Sequence, residues 1–380
     1  MDGLYDIENR MNSISLNQYN QIINIEEHNN CEADCICVYD NEQELENNMT
    51  ENNLPLLEYK LKEPAEESGL YEADNECEYD DTNNEVSTFY LHNFLHDDYL
   101  ELIDSENDYF LKGKELMVNS NSILVVLEDE KLVIPHDKVV IIHGILDNHG
   151  TIYNYGNIMI YGAGRIENNT NSFINNHGTL MIKDSSLINH ENATFTNSYD
   201  EGSIDNNGVI LLYDGSIFSN NASLLNRGLI DNRGRFVNKS YVNNYSIIEN
   251  KNIFYNEFML NNDGSIINNG KVENYDTINN NNSITNYNLI HSYGKSFVYN
   301  YQNGLINNCY LINISEESQL INKGGLHNHI SSQIHSRGSI IQEGNVLNNG
   351  YIYSHYIEYY NQQSIIDGNV VHDNYRILEL

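Results

Sequence analysis

A six-residue repeat in the middle of this 380-residue chain is the feature that most constrains its fold. Apolar residues recur at steps of six fourteen times in succession, at Leu212, Phe218, Leu224, Ile230, Phe236, Val242, Ile248, Phe254, Leu260, Ile266, Val272, Ile278, Ile284 and Ile290. An asparagine stands four residues before each apolar residue from Leu224 on. These twelve asparagines are Asn220, Asn226, Asn232, Asn238, Asn244, Asn250, Asn256, Asn262, Asn268, Asn274, Asn280 and Asn286. The unit is therefore Asn-x-(Gly/Asn/Asp)-x-(Ile/Leu/Val/Phe)-x.

Alternation within this unit predicts extended backbone. The asparagine, the small residue and the apolar residue occupy every second position, so they face one side of a strand. A helix would need apolar spacings of three and four, which are missing here. A unit with one apolar side chain cannot fold alone, but stacking of successive coils buries the apolar column. We therefore predict an all-β chain, a parallel β-solenoid (β-helix) with coils of about eighteen residues and either handedness.

The asparagines and glycines have two expected roles in such a coil. Corners between short strands need left-handed or bridging backbone, which Gly adopts freely and Asn tolerates better than most residues. Stacked asparagine amides can also bond to the coils above and below, as in cross-β structures. We therefore predict a structural ladder formed by the twelve asparagines.

Four regions follow from the composition. Residues 1–87 form an acidic arm with few apolar residues, for which we predict disorder. Residues 88–137 contain an aromatic docking segment and β-rich entry strands. Residues 138–350 carry the solenoid repeats, in which apolar steps of eight after Ile290 predict longer corners on one edge. Residues 351–380 lose the strict pattern and are interpreted as a cap against end-to-end stacking.

The charge limits the partners. The formal net charge is -36, and residues 1–110 hold 29 acidic residues against three basic ones. A chain this acidic repels phosphate backbones and anionic lipids, so we expect neither nucleic acid nor membrane insertion. No apolar run reaches the length of a membrane helix, and "MDGLYDIENRMNSIS" lacks the features of a signal peptide. We expect synthesis in the cytosol and leave the final location open, with a virion as one destination.

The five cysteines do not form a recognisable framework. Four of them, Cys31, Cys35, Cys37 and Cys77, lie in the acidic arm, and Cys309 stands alone. An odd number with this spacing is untypical of disulfide scaffolds. No second Cys/His pair completes a zinc site with "CEADCIC". We therefore predict free thiols and no metal.

The repeats resemble known β-solenoid sequences. Units such as "NHGTIYNYGNI", "NNGVI", "NRGLIDNRGRF" and "NDGSIINNGKV" are similar to the N-x-G-x-I repeats of filamentous-haemagglutinin-type bacterial adhesins and of Asn-rich repeat proteins of giant DNA viruses of amoebae. The resemblance covers residues 138–350 and implies a β-solenoid without specifying an activity. The abundance of Asn, Ile and Tyr with few Ala favours an AT-rich viral genome over a secreted adhesin.

Catalytic candidates are sparse. Glycosidases and lyases on β-helices need clustered carboxylates, and the repeats offer Asp184, Asp200, Asp205, Asp214 and Asp231. Asp214 falls at the asparagine ladder position and Asp231 beside it, so both are interpreted as corner variants. No phosphate-binding, dinucleotide-binding or H-E-x-x-H motif is present, and we predict no cofactor.

Histidines and tyrosines at corners have a structural and a functional interpretation. His149 and His177 occupy the middle of Asn-His-Gly corners, and neither has a carboxylate or nucleophile at a telling spacing, so we predict outward corner residues. Corner tyrosines, including Tyr155, Tyr245, Tyr275, Tyr287 and Tyr293, either stack on one another or form an aromatic stripe that binds sugar rings or a protein.

These observations favour a non-enzymatic structural or recognition protein. A rigid solenoid rod would serve surface display or adhesion, with a virus particle as one setting and a protein or carbohydrate surface as the partner. The sequence allows a homo-oligomer without fixing the oligomeric state. The alternative is a carbohydrate-active β-helix enzyme, of the polysaccharide lyase or glycosidase type, which would require two or three carboxylates converging in a groove.

Overall fold

The structure is a computed structural model that describes residues 86–95, 100–102, 108–199, 201–359 and 369–377. All of these belong to one compact unit, Glu85–Leu380. The predicted acidic arm lies outside the described residues up to residue 85, and so do its four cysteines and the candidate Asp200. Cys309 is half-buried and forms no disulfide with any residue described.

The described residues contain thirty-seven strands, which form one wound sheet of about 13 turns. The described residues include no α-helix and one short 3-10 helix, Leu91–Leu95. The predicted parallel β-solenoid is therefore confirmed.

Each turn passes through three flat faces. Face 1 contains β4 (Glu115–Val118), β7 (Val139–Ile142), β10 (Asn157–Tyr161), β17 (Ser223–Asn226), β20 (Tyr241–Asn244), β23 (Met259–Asn262), β26 (Thr277–Asn280), β29 (Phe297–Asn300) and β32 (Gln319–Asn322). Face 2 contains β1 (Ser87–Tyr90), β5 (Ser122–Val126), β8 (Ile145–Asn148), β11 (Arg165–Asn168), β18 (Leu229–Asn232), β21 (Ile247–Asn250), β24 (Ser265–Asn268), β27 (Ser283–Asn286), β30 (Leu305–Asn308), β33 (Gly325–Asn328) and β35 (Asn345–Asn348). Face 3 contains β3 (Asp108–Leu111), β6 (Lys131–Ile134), β9 (Thr151–Asn154), β12 (Phe173–Asn176), β14 (Thr194–Asn197), β16 (Ile217–Asn220), β19 (Arg235–Asn238), β22 (Ile253–Asn256), β25 (Lys271–Asn274), β28 (Leu289–Ser292) and β31 (Leu311–Ile314).

Five longer strands bend round a corner and belong to two faces. They are β13 (Thr179–Asn189) and β15 (Ser203–Leu212) on faces 1 and 2, and β34 (Gln333–Gln342), β36 (Tyr351–Tyr359) and β37 (Asn369–Ile377) on faces 3 and 1. Strands of successive turns pair in parallel, whereas β2 (Leu100–Leu102) pairs antiparallel with β3. The winding therefore satisfies the backbone between turns.

The four-residue strands explain the hexad. Their second residue is the apolar one and their fourth is the asparagine, so both point inward, and a two-residue corner completes the unit. All fourteen apolar residues of the repeat are at most 5% exposed. From Ile217–Asn220 to Leu289–Ser292, paired residues are eighteen apart. The predicted coil length is correct there.

Longer corners interrupt the eighteen-residue period elsewhere. Four-residue corners 293–296 and 315–318 separate face 3 from face 1, 301–304 separates faces 1 and 2, and 329–332 separates faces 2 and 3. The prediction that long corners share one edge is therefore wrong. Three of the four corners, one on each edge, are closed by a hydrogen bond across the corner: Gly304 N to Tyr301 O, Ser318 N to Ser315 O and Ser332 N to His329 O. The insertion is therefore accepted on all three edges.

The winding extends on both sides of the predicted repeat region. Within residues 88–137, strands β4, β5 and β6 pair in parallel with the turn that follows. Within residues 351–380, strands β36 and β37 continue the same pairing.

The phase prediction fails at one point. Leu212 is buried, but it is the last residue of β15 and occupies the fourth, ladder position, while Ile210 occupies the apolar position. Asp214 lies in the exposed four-residue corner that follows, not at the ladder position. This corner restores the phase before Phe218.

Candidate functional site

The interior of the solenoid contains asparagine ladders, which are columns of asparagine side chains hydrogen-bonded from one turn to the next. Each of the twelve asparagines is at most 1% exposed, and the side chain lies inside the coil. In face 2, Asn232 Nδ2 donates to Asn250 Oδ1, and Asn250 Nδ2 to Asn268 Oδ1, each at 2.7 Å. The second N–H of Asn250 donates to the backbone carbonyl of Lys271 at 3.1 Å. Every amide in such a ladder therefore joins consecutive turns, as the predicted stacking requires.

The ladder asparagines are not corner residues. The non-glycine residues with a positive φ among those described are Asn171, Asp184, Asn192 and Ser331, none of which belongs to the twelve. The expectation that the repeat asparagines serve left-handed corners is therefore wrong. A buried amide is selected because it satisfies both its own hydrogen-bonding groups and a backbone carbonyl.

The apolar part of the interior leaves no room for a ligand. Phe195, Phe218, Phe236 and Phe254 stack in face 3 with ring centroids 4.7–5.0 Å apart. The void among the aliphatic side chains between Ile248 and Ile290 measures about 10 Å³. This volume is at the lower limit for a single water molecule. Binding chemistry must therefore lie on the outer surface.

The predicted acidic candidates are scattered over that surface. Asp205 on face 1 pairs with Arg227 at 2.8 Å. Asp231 on face 2 pairs with Arg233 at 3.0 Å and with Lys251 at 3.1 Å. Asp184 and Asp214 lie in exposed corners on two different edges. The four described candidates therefore do not converge in a groove.

The two corner histidines point outward, as predicted. His177 stacks on Tyr155 at 4.8 Å. His149 is 3.2 Å from the Asp147 carboxylate through Nε2. The expectation that no carboxylate accompanies these histidines is therefore wrong for His149. The sequence signal for this contact is Asp147, two residues before His149. The third residue of a strand and the first residue of the next corner both face outward, so their side chains can meet.

A groove along the edge between faces 3 and 1 is the candidate site. Its floor is a column of third-position side chains from five consecutive turns, His291, Asn313, His335, Tyr353 and Val371. We name this floor and its wall of corner residues the edge groove. The wall consists of Tyr293, Ser315, Glu316, Arg337 and His355. The cavity volume is about 780 Å³, within the range of ligand sites.

Corner length creates the edge groove. The corners that begin at Tyr293 and Ser315 each have four residues, with exposed residues at their tips. The next two turns have corners of two residues, Arg337 and Gly338, and of one residue, His355. At these two short corners the chain therefore lies closer to the interior of the coil than at the two long corners before them. This difference leaves a recess on the outer surface.

The histidine at one end of the groove is held by neighbours from the next turn. Ser315 Oγ lies 3.1 Å and Asn313 Nδ2 3.3 Å from His291 Nε2. The ring also stacks on Tyr293 at 3.7 Å. The Asn313 amide nitrogen is a donor, so Nε2 of His291 is the acceptor in this contact. Burial, with a contribution from the Lys271 charge, lowers the pKa of His291, and the Glu273 charge opposes this shift.

A charged cluster borders the groove on its N-terminal side. Glu273 lies directly beneath His291 in the same column and is 7% exposed. Burial alone would raise the pKa of Glu273, but hydrogen bonds from Lys271 and Tyr275 outweigh it and the pKa is lowered. Burial and the 2.5 Å bond to Glu273 raise the pKa of Tyr275 well above its usual range. Tyr275 also stacks on Tyr293 at 4.9 Å, which extends the aromatic surface.

The hydrogen-bond partners of His291 are a hydroxyl and an amide. The contact between Ser315 and His291 resembles half of a nucleophile-base pair. Among the described residues, however, the bonds of His291 are all made through Nε2, so no carboxylate orients the ring through Nδ1. No group of three His, Cys, Asp or Glu side chains in the described parts of the chain could hold a metal ion.

The corner tyrosines differ in their surroundings, and Tyr275 is both stacked and 44% exposed. Tyr155, Tyr275 and Tyr293 stack on neighbouring rings, whereas Tyr245 is 55% exposed. The sequence did not identify His335, Arg337 or Tyr353 as site residues. Tyr353 lies in the C-terminal "YIYSHYIEYY" segment, which is interpreted from the sequence as a cap, whereas His335 and Arg337 lie before that segment, in β34.

The wound parallel sheet and its ladder interior define this chain as a parallel β-solenoid. Comparisons with protein-family models, curated proteins and solved structures find no match to it. No helix among the described residues is long and apolar enough to cross a membrane.

Proposed function

We propose that the protein is a non-enzymatic recognition rod whose edge groove binds an extended carbohydrate chain. The observation that carries the proposal is the groove floor, in which five turns present outward side chains in register. Four spacings of about 4.8 Å give a floor on the order of 19 Å long. A ligand that contacts all of it must itself be linear.

The composition of the groove favours sugar. Tyr353 packs edge-to-face on His335 at 4.9 Å and is 40% exposed, so ring surface is available to a ligand. Asn313 and Ser315 offer amide and hydroxyl groups beside these rings. Pyranose rings present apolar C–H faces and hydroxyl rims, which match alternating aromatic and polar groups.

The scaffold supports recognition rather than turnover. Ladder bonds and parallel pairing tie each turn to its neighbours, so the groove is rigid and preorganised. Among the described residues that line the groove, Glu316 is the single carboxylate, and a glycosidase of the usual type needs two.

Display on a surface fits a rod of this kind. The Asn-rich repeats resemble those of giant-virus proteins, so we place the rod on a virus particle. Mass spectrometry of purified particles tests that location, and absence from them would contradict it.

A glycan array probed with the purified full-length chain tests the binding function. Y353A and H335A should each lose most of the bound signal, since each removes part of the floor. Y245A is the matched control, because Tyr245 is an exposed tyrosine at another edge. Circular dichroism should show the same strand content in all variants. Absence of array binding, or full binding by both floor variants, would overturn the proposal.

A further inference from the structure

Arg337 differs from the other arginines whose side chains the structure describes. Arg165, Arg227 and Arg233 pair with Glu167, Asp205 and Asp231, and Arg235 lies over the Tyr255 ring at 4.6 Å. Arg337 has no ion pair or hydrogen bond with any described residue, although the chain has 55 acidic residues against 19 basic ones. Its guanidinium is exposed at the wall of the edge groove.

The corner that carries Arg337 is fixed by packing. A Cβ atom on Gly338 would lie 2.0 Å from the backbone oxygen of Ser318 and 2.5 Å from that of Ser315. Glycine therefore allows the two-residue corner to sit directly against the corner of the preceding turn. This contact places Arg337 at the step where the edge groove begins to deepen.

The charges of the groove define the kind of anion that fits. Among the described residues that line it, Arg337 is the single arginine and Glu316 the single acidic residue. Residues 111–380, which contain the groove, hold 26 acidic against 16 basic residues, and this excess of negative charge disfavours a densely charged anionic polymer. A single planar carboxylate, however, matches the fork of one guanidinium through two parallel hydrogen bonds.

We propose that the edge groove selects glycans that carry isolated uronic-acid carboxylates, with Arg337 as the residue that binds the carboxylate. This inference rests on the proposed carbohydrate-binding function. It specifies the class of glycan that is bound, because a neutral glycan would leave the Arg337 guanidinium without an anionic partner. Densely sulfated chains are disfavoured by the field of the whole protein.

An array of uronate glycans, each printed beside its carboxyl-reduced counterpart, tests the selectivity of the full-length protein. The wild-type chain should bind the acidic member of a pair about tenfold more tightly, as one charge-assisted contact predicts. R337Q should abolish this difference while keeping the weaker binding to the reduced member. R337K should keep part of the difference, since it retains the charge without the fork.

R235Q is the control, because Arg235 is an outward arginine on face 3 that lies outside the groove. Equal binding of both members by the wild type would overturn the selectivity and leave the carbohydrate function standing. Stronger binding to heparin than to uronate glycans would also overturn it. Failure to bind either member of any pair would contradict the carbohydrate function itself.

Discussion

The side-chain amide of Asn250 donates to Oδ1 of Asn268, one turn further along the coil, at 2.7 Å. Asn268 in turn donates to Asn286 at 2.7 Å and to the backbone carbonyl of Leu289 at 3.0 Å. Removal of the Asn268 amide therefore takes one acceptor from Asn250, which still donates to the carbonyls of Asn252 and Lys271. It also removes the donor to buried Asn286 Oδ1 and to the Leu289 carbonyl. Such groups each cost about 1–3 kcal/mol when desolvated.

N268A should consequently lower the stability of the solenoid by roughly 2–4 kcal/mol, through groups of this kind. The adjacent Asn269 is an exposed corner residue, so N269A is a matched control and should change stability by less than about 0.5 kcal/mol. Urea unfolding followed by circular dichroism measures both. Equal midpoints for the two variants would contradict a structural role for the ladder.

F236A should destabilise the chain through the aromatic stack. Phe236 is fully buried between Phe218 and Phe254 at centroid distances of 5.0 and 4.7 Å. Truncation of a buried Phe to Ala typically costs about 3–5 kcal/mol because a cavity remains. Phe173 is 36% exposed on the same face, and F173A should have a much smaller effect on the thermal midpoint.

G264A should be more damaging than a substitution at a glycine with a positive φ. A Cβ atom on Gly264 would lie 2.1 Å from the backbone oxygen of Ser246 in the preceding turn. The corner must move away, and the bond from Gly264 N to Asn244 O weakens. We expect a loss of about 1–3 kcal/mol, as for other overpacked sites.

G294N provides the contrasting case. Gly294 has a φ of +59°, but no atom lies within 4 Å of its added Cβ, and Asn tolerates left-handed backbone. Its midpoint in urea should remain near that of the wild type. A larger loss for G294N than for G264A would show that backbone conformation, not close approach, selects the repeat glycines.

Stability should be greatest between mildly acidic and mildly alkaline pH. The lowered pKa values of His291 and His329 mean that the unfolded chain binds more protons, so stability falls as pH drops below about 6.5. The lowered pKa of Glu273 continues this loss at lower pH. The raised pKa values of Tyr275 and Tyr293 remove stability as pH rises above about 10.

Thermal midpoints measured across this pH range test the assignment. H291Q should flatten the decline between about pH 6.5 and pH 5, because one of the two contributing imidazoles is removed. H136Q replaces an exposed corner histidine and should leave the decline unchanged. A wild-type midpoint that rises on acidification would contradict the direction of these pKa shifts.

The repeat region was predictable because its pattern is local. Ile266 and Asn268 lie two residues apart, and their alternation alone places both side chains inside an extended strand. Repetition at six then requires a wound sheet, because a single apolar residue per unit cannot form a core. The same local pattern misplaced Leu212, since the strand that contains it ends at a corner of unusual length.

The edge groove was not predictable from the repeats. His291, Asn313 and His335 are 22 residues apart from one to the next, so they align only because each intervening turn contains two long corners. Arg337 lies beside them because the next residue, Gly338, allows the corner that contains both residues to pack against Ser318. The sequence by itself determined which residues form strands, which side chains face the interior, and that the chain winds into a coil. All three depend on the alternation of side chains along the strands. The tertiary structure alone decided which outward side chains meet, because that depends on the accumulated lengths of the corners between them.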